Sequence, residues 1–142
     1  MKISAKFDYT CRALIELSLH WPSKEPLQIS TIAEKQKIPI QFLTHILINL
    51  KQLGYVESLR GKKGGYVLTK PPQEITLSNL SENFSELRPR YASKIRTSKS
   101  ADVLESIWQE IDQSLSDAMK NINFEYICKR KRNFEKIPMY TI

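Results

Sequence analysis

The chain opens with two segments whose apolar residues recur at helical spacing. The first spans residues 5 to 21 and ends before Pro22, which cannot continue a helix. Its apolar stripe consists of Phe7, Cys11, Leu14, Leu17, Ser18 and Trp21. Thr31 and Glu34 then match a capping box, which predicts a second, short helix that begins at Ser30 or Thr31.

A third helix is predicted from Pro39, which suits a first turn, to Gly54, which suits a C-cap. One face carries an apolar stripe of Leu43, Ile46, Leu47, Leu50 and Leu53. The other face presents Gln41, Thr44, His45, Ile48 and Gln52. A helix divided in this way docks on its own domain through one side and leaves the other side for solvent or for a partner.

Two short β-prone runs follow, from Tyr55 to Leu59 and from Tyr66 to Thr69, and the turn RGKKGG joins them. Three helices followed by a hairpin are the element order of a winged helix-turn-helix. The hairpin tip holds three cations and three glycines, a combination that an ordinary solvated turn rarely collects. An arginine at such a tip, here Arg60, suits the negative potential of a narrow minor groove.

The region after the hairpin is predicted to contain a short helix, a basic loop and a long helix. Thr76 or Ser78 caps the short helix, which extends through Phe84 and Leu87, and the tract RPRYASKIRTSKS follows as a loop. The long helix covers residues 101 to 122, about 33 Å. Its apolar face consists of Leu104, Ile107, Trp108, Ile111, Leu115, Ala118 and Ile122. A stripe of this size requires a partner surface, so we expect a dimerisation helix.

The end of the chain gives a weaker pattern. KRKR at 129 to 132 and the following NFEKIPMYTI indicate only mixed short structure. The basic run is either a solvated segment, which is the usual outcome, or a second contact with nucleic acid. The predicted organisation is a winged helix-turn-helix domain at 1–72, a linking helix and basic loop at 73–100, and the long helix with a tail at 101–142.

Composition adds a charge argument and excludes several classes of protein. Lysine and arginine outnumber acidic residues by 22 to 15 in 142 residues, and the net charge of +7 is the sign that a polyanion attracts. No apolar run approaches the roughly 20 residues of a membrane span, and no secretory signal is visible, which predicts a cytoplasmic protein. Neither His20 nor His45 has the neighbours that catalysis requires, so no enzyme and no catalytic residue is predicted.

The third helix carries chemistry that suits base recognition. Gln41 can pair with adenine, and Thr44 and Phe42 can contact a thymine methyl group. The alternative is a solvated polar face. A winged helix that binds protein, either as an adaptor or through a partner enzyme, is the rival function, and DNA binding that weakens steeply with salt distinguishes the two.

These residues together resemble the Rrf family of winged helix-turn-helix transcriptional regulators, whose members include IscR, NsrR and CymR. The similarity covers roughly residues 1 to 122, and its most specific part is LRGKKGGYVLTKPPQEITL. The resemblance implies a homodimer joined through the long helix, a palindromic double-stranded DNA site, phosphate contacts from the start of the first helix and a minor-groove contact from the wing. The candidate DNA contacts are Ser4, Lys6, Tyr9, Pro39, Gln41, Phe42, Thr44, His45, Arg60, Lys62 and Lys63.

The chain departs from the cluster-binding members of that family in one segment. Those members carry three cysteines in the loop before the long helix, whereas the corresponding segment here, RPRYASKIRTSKSAD, has none. Only Cys11 and Cys128 are present in the whole chain. We therefore predict no iron-sulfur cluster, no metal and no cofactor, and an effector that is an unidentified small molecule or protein.

Overall fold

The computed structural model describes residues 3–84 and 98–136. Within these residues the chain forms six α-helices, one 3-10 helix and a two-stranded antiparallel sheet. In chain order the elements are α1 (Ala5–His20), α2 (Ile29–Gln36), α3 (Ile40–Gln52), β1 (Val56–Leu59), β2 (Gly65–Leu68), the 3-10 helix (Pro72–Glu74), α4 (Leu77–Ser81), α5 (Lys99–Lys120) and α6 (Phe124–Glu135).

The core forms where α1, α2 and α3 bury apolar side chains against one another. Its fully buried members include Leu14, Ile32, Leu43, Leu47 and Leu50. Each such side chain contributes about 1.5–3 kcal/mol relative to an exposed one. The stripe predicted for the third helix is therefore confirmed at Leu43, Ile46, Leu47 and Leu50, and the opposite side of α3 faces outward.

The ends of α1 and α3 differ slightly from the predicted ones. Trp21, predicted on the stripe of the first helix, instead is the C-cap after His20 and is 37% exposed. In α3, Leu53 is half-buried and is itself the C-cap, one residue before the predicted Gly54.

The start of α2 differs from the prediction. Leu27 and Tyr66 form an antiparallel bridge through two backbone hydrogen bonds of 2.9 Å, which holds Leu27 in extended conformation. Gln28 consequently becomes the N-cap, and the helix begins at Ile29 rather than at Ser30 or Thr31. Thr31 lies inside the helix, so the predicted capping box is wrong. A tertiary contact with the hairpin, which no local pattern reveals, sets this boundary.

The hairpin is close to the predicted one. Its strands pair in the register Val56 with Leu68 through Leu59 with Gly65. Gly61 has a φ of 117°, a conformation that side-chain-bearing residues rarely adopt. A Cβ atom on Gly65 would lie 2.4 Å from the Leu27 carbonyl oxygen, so this glycine permits the bridge that sets the start of α2.

The long helix lies two residues earlier than predicted. Ser98 caps α5 by accepting from the Ala101 N–H at 3.2 Å, and the helix ends at Lys120. Ile122, predicted on its apolar face, therefore lies beyond the helix, where its carbonyl accepts from the Leu77 N–H at 2.9 Å. Thr76 caps α4 as predicted, but the helix ends at Ser81, so the buried Phe84 lies beyond it. Residues 85–97 lie outside the described residues, and they include Leu87 and most of the predicted basic loop.

The region after α5 contains a regular helix instead of mixed short structure. Asn123 caps α6 by accepting from the Tyr126 N–H at 2.8 Å. Phe124 and Cys128, one turn apart, are buried as α6 packs against α1. The basic run 129–132 is part of this helix. Residues 137–142 lie outside the described part, and the proposed division of the chain at residues 72 and 100 stays a prediction.

Candidate nucleic-acid interface

The exposed side of α3 combines polar and apolar side chains at the start of the helix. Gln41 and His45 are exposed, and Phe42 keeps 60% of its surface accessible. Pro39 is the N-cap residue, so the helix starts immediately after it. Ile40, which sequence reasoning did not select, is 54% exposed in the first turn. The sequence signal for this exposure was that Ile40 lies in the first turn of the helix, before the periodic apolar stripe begins.

Thr44 has a hydrogen bond inside its own helix. Its hydroxyl donates to the Ile40 carbonyl at 2.8 Å, which occupies the single proton that the hydroxyl carries. Thr44 therefore retains a methyl group and an acceptor oxygen for a partner. This geometry favours contact with a thymine methyl over donation to a base edge.

The wing places its cations at a solvent-exposed tip. Arg60, Lys62 and Lys63 are all exposed, and the Gly64 N–H donates to the Gly61 carbonyl at 2.9 Å across the turn. Hydrogen bonds attach the strands that carry this tip to α3. Lys51 in α3 donates to the Ser58 hydroxyl in β1 at 2.8 Å, and Thr69 after β2 donates to the Gly54 carbonyl. The tip and α3 are thus held as neighbouring parts of one unit.

The start of α1 uses two of its three predicted contact residues in local interactions. The Ser4 hydroxyl accepts from the Phe7 N–H at 3.1 Å as the N-cap of the helix. Tyr9 is half-buried, with the Arg12 guanidinium 5.2 Å from its ring centroid. Lys6 is exposed, and its ammonium lies 5.8 Å from the ring centroid of Phe84. Of the three, Lys6 has the most freedom to meet a phosphate.

A groove between the wing and the start of α2 was not predicted. Its volume is about 530 Å³, and Gln28, Ser30, Arg60 and Lys62 are among the residues that line it. Ser30 is exposed at the second residue of α2. Sequence reasoning missed the groove because it started this helix later and did not foresee the bridge to the hairpin. Neutral hydrogen-bonding groups and cations together suit a sugar-phosphate strand.

A second exposed surface lies on α5, and it is formed by large apolar side chains instead of polar ones. Leu104, Ile107, Trp108 and Ile111 are 49, 40, 45 and 54% exposed. Two further residues of the predicted stripe also lie on α5: Leu115 is half-buried and Ala118 is exposed. Val103, which was not predicted, is 56% exposed. Met119 is the one buried residue of α5.

Both cysteines lie in packed surroundings. Burial, assisted by the nearby Asp8 carboxylate, raises the pKa of the Cys11 thiol to about 12. Burial also raises the pKa of Cys128, whose Sγ lies 3.8 Å from the Ile15 carbonyl oxygen. Thiolates are the form that ligates metals, so the raised pKa values disfavour metal binding by either cysteine. Across residues 3–84 and 98–136, no three His, Cys, Asp or Glu residues group closely enough to hold a metal ion.

The helices of the described segments can be compared with membrane spans in length and hydropathy. None of these helices is both long and apolar enough to cross a bilayer.

Comparison with known proteins places the chain. The sequence profile of the Rrf2 family, described as iron-dependent transcriptional regulator, matches residues 3–130. A Synechocystis protein named as an HTH-type transcriptional regulator is 33% identical over 138 residues, which cover 95% of this chain and 92% of that protein. IscR of Cereibacter sphaeroides is 33% identical over 87 residues, 61% of this chain and 56% of that protein.

Solved structures share the architecture. T. potens IscR superimposes with a TM-score of 0.79 at 24% sequence identity, over 99% of this chain and 95% of that one. CymR, the global cysteine regulator of B. subtilis, superimposes with a TM-score of 0.80 at 23% identity, over 92% of this chain and 98% of that one. These likenesses confirm the predicted fold class, mainly helical with a winged helix-turn-helix and a small hairpin. Together with the sequence matches, they establish that the chain belongs to the Rrf2 family of helix-turn-helix transcriptional regulators.

Proposed function

We propose that this DNA-binding regulator acts as a homodimer that recognises a palindromic double-stranded operator in the cytoplasm and represses transcription there. The observation that carries the proposal is the joint exposure of the α3 face and the wing tip, which hydrogen bonds hold in one unit. An α-helix fits the major groove, and a cationic tip suits the adjacent minor groove.

The proposed contacts divide by chemistry. Gln41 and His45 read base edges, and Phe42 with Thr44 contacts thymine methyl groups, at about 1–3 kcal/mol of discrimination for each good pair. Arg60 enters the minor groove because its planar guanidinium loses water more easily than an ammonium. The remaining residues position the backbone: Ser4, Lys6, Tyr9, Pro39, Lys62 and Lys63.

Salt dependence tests this proposal against the rival protein-binding adaptor. The full chain is titrated onto fluorescent duplex DNA between 50 and 200 mM salt. A binding constant that falls by about 10³ or more over this range indicates six or more neutralised phosphates per complex. An adaptor whose winged helix meets only protein gives no salt-dependent complex with DNA, and that result contradicts the proposal.

The apolar surface of α5 supports the proposed homodimer. Exposed apolar patches of this kind mark interaction sites, and coiled or crossed helix pairs bury such stripes in two-fold assemblies. A two-fold dimer places its two reading helices about 34–36 Å apart, in successive major grooves. The proposed interface consists of Leu104, Ile107, Trp108, Ile111, Leu115, Ala118 and Ile122, together with Val103.

The iron that the family description names does not fit the residues of this chain. Iron-sulfur clusters are usually held by cysteine thiolates, and the segment from residue 88 to 102 contains no cysteine. Cys11 and Cys128 are the only thiols of the chain, and burial keeps both protonated. We therefore propose that DNA binding is controlled without a cluster. Anaerobic reconstitution with iron and sulfide is expected to leave no stoichiometric acid-labile sulfide after desalting. A cluster spectrum that survives desalting contradicts this.

A further inference from the structure

A cavity of about 660 Å³ lies where the last turns of α1, α2 and α6 meet. Two carboxylates, two lysines, a histidine and an amide line it: Glu16, Glu135, Lys35, Lys131, His20 and Gln36. The side chains of Leu19 and Leu27 provide apolar wall. The volume lies in the 300–1,000 Å³ range of small-molecule sites. Because the lining is mainly polar and charged, the cavity suits a charged ligand with only a small apolar part.

Glu16 is the unusual member of this set. It is a carboxylate with only 6% of its surface exposed, and its Oε1 accepts from the Gln36 side-chain N–H at 2.6 Å. Arg12 in turn holds Gln36 through a 3.2 Å hydrogen bond to Oε1 and a second bond to the Gln36 carbonyl. Throughout the described segments, no cation lies within 4 Å of the Glu16 carboxylate. Lys131 attracts this carboxylate from beyond contact distance. A nearly buried carboxylate with no cation in contact favours a ligand that brings one.

The other charges of the cavity leave one cation without a counterion. Lys131 pairs with Glu135 at 2.6 Å, one turn apart on α6, and also attracts Glu16, so one ammonium serves two carboxylates. Lys35 in the last turn of α2 has no carboxylate within 4 Å among the residues that the structure describes. The cavity thus presents two carboxylates that share one ammonium, and a second ammonium, from α2, that has no carboxylate in contact.

We propose that this cavity binds a free amino acid with an apolar side chain. Its ammonium group pairs with the Glu16 carboxylate, its carboxylate pairs with Lys35, and its side chain contacts Leu19 and Leu27. The occupant would connect α2, which packs directly behind the reading helix α3, to α1 and α6. Binding therefore changes the affinity for DNA, a regulatory step that rests on the proposed function.

Calorimetry on the full chain without DNA tests the site. The probes are L-leucine, L-isoleucine, L-valine, L-methionine and L-phenylalanine, with 3-methylbutylamine and 4-methylpentanoate as leucine analogues that keep only one charged group. We expect at least one amino acid to saturate the protein below 1 mM, and each single-charge analogue to bind at least about tenfold more weakly, the scale of one lost charged hydrogen bond. No saturation by any amino acid up to 10 mM overturns the proposal.

Variants locate the binding. Glu16→Gln keeps the volume and Lys35→Gln alters an exposed residue, and each is expected to weaken amino-acid binding about tenfold or more. Lys129→Gln removes the same charge from the exposed side of α6 and is expected to have no effect. Equal affinity in the Lys35→Gln and Lys129→Gln proteins contradicts the assignment, even if Glu16→Gln fails to fold.

A final measurement addresses regulation. DNA affinity of the full chain is compared with and without the saturating amino acid, in wild-type and Lys35→Gln proteins. A ligand-dependent change in the wild-type protein alone supports the coupling, and no change in either overturns the regulatory step. Since calorimetry needs no DNA, failure of the proposed DNA binding is distinguishable from failure of the site.

Discussion

Helices α3 and α5 are both amphipathic, but they dispose of their apolar sides in opposite ways. In α3 the stripe of Leu43, Ile46, Leu47 and Leu50 is at most 2% exposed, because α1 and α2 cover it. In α5, residues 103, 104, 107, 108 and 111 keep 40–56% of their surface exposed. Consequently α3 exposes mainly its polar side to solvent, whereas α5 exposes its apolar side. Among the described residues, neighbouring helices thus cover the apolar side of α3, whereas the exposed apolar side of α5 supports the proposed dimer contact.

The largest expected effect comes from charging the exposed stripe. Glutamates at Ile107 and Ile111 would be buried without partners in the proposed dimer, so we expect Ile107→Glu with Ile111→Glu to give monomers and abolish specific DNA binding. Sedimentation velocity measures the change. Ser106→Glu with Gln109→Glu adds the same charge to another face of α5 and is expected to leave a dimer. A double stripe variant that sediments as an unchanged dimer rules out this interface.

Two adjacent residues of α3, one buried and one exposed, test whether only one side of this helix is packed. Leu47→Ala removes a fully buried side chain and is expected to cost about 2–5 kcal/mol of unfolding free energy. Ile48→Ala removes a 44% exposed one and is expected to cost much less. Urea unfolding measures both. Similar losses at the two positions would show that the exposed side of α3 is packed in solution.

The predicted part of the molecule and the missed part differ for physical reasons. The stripes of α1, α3 and α5 and the glycine-rich wing are strong local signals, and they locate the helix-turn-helix, the hairpin and most of the candidate interface. In α6, charged residues outnumber Phe124, Ile127 and Cys128, so the sequence shows only a weak apolar periodicity there. The helix is stabilised by the Asn123 cap and by packing against α1, and neither is visible as a periodic pattern. The bridge between Leu27 and Tyr66 and the charge arrangement around Glu16 join distant segments, which no local pattern contains.

The wing and α1 should differ in the kind of DNA contact they make. Arg60→Ala is expected to cost about 1–3 kcal/mol and to relax preference at one or two A·T-rich positions. Lys6→Ala is expected to weaken all sequences alike and to reduce the salt slope by about one. Competition with base-substituted duplexes separates the two patterns. An unchanged preference profile in Arg60→Ala shows that the wing does not read sequence.

The smallest expected effect tests whether α6, like α3, is completed within the chain. Asn123→Ala removes the cap from the Tyr126 N–H and is expected to cost about 0.5–2 kcal/mol in urea unfolding. Asn133→Ala, at an exposed position later in the same helix, is expected to cause no loss. Equal stability of the two variants indicates that the end of the chain is not docked on α1 in solution.

Selection of bound duplexes from a random double-stranded library, using the full chain at physiological salt, tests whether the protein recognises a two-fold operator. A two-fold dimer with reading helices from α3 predicts an enriched palindrome whose half-sites lie about 10–10.5 base pairs apart, centre to centre. The Ile107→Glu with Ile111→Glu variant is expected to enrich no such site. No enriched sequence with the wild-type protein, or an enriched site without two-fold symmetry, contradicts the account of a dimeric operator-binding regulator.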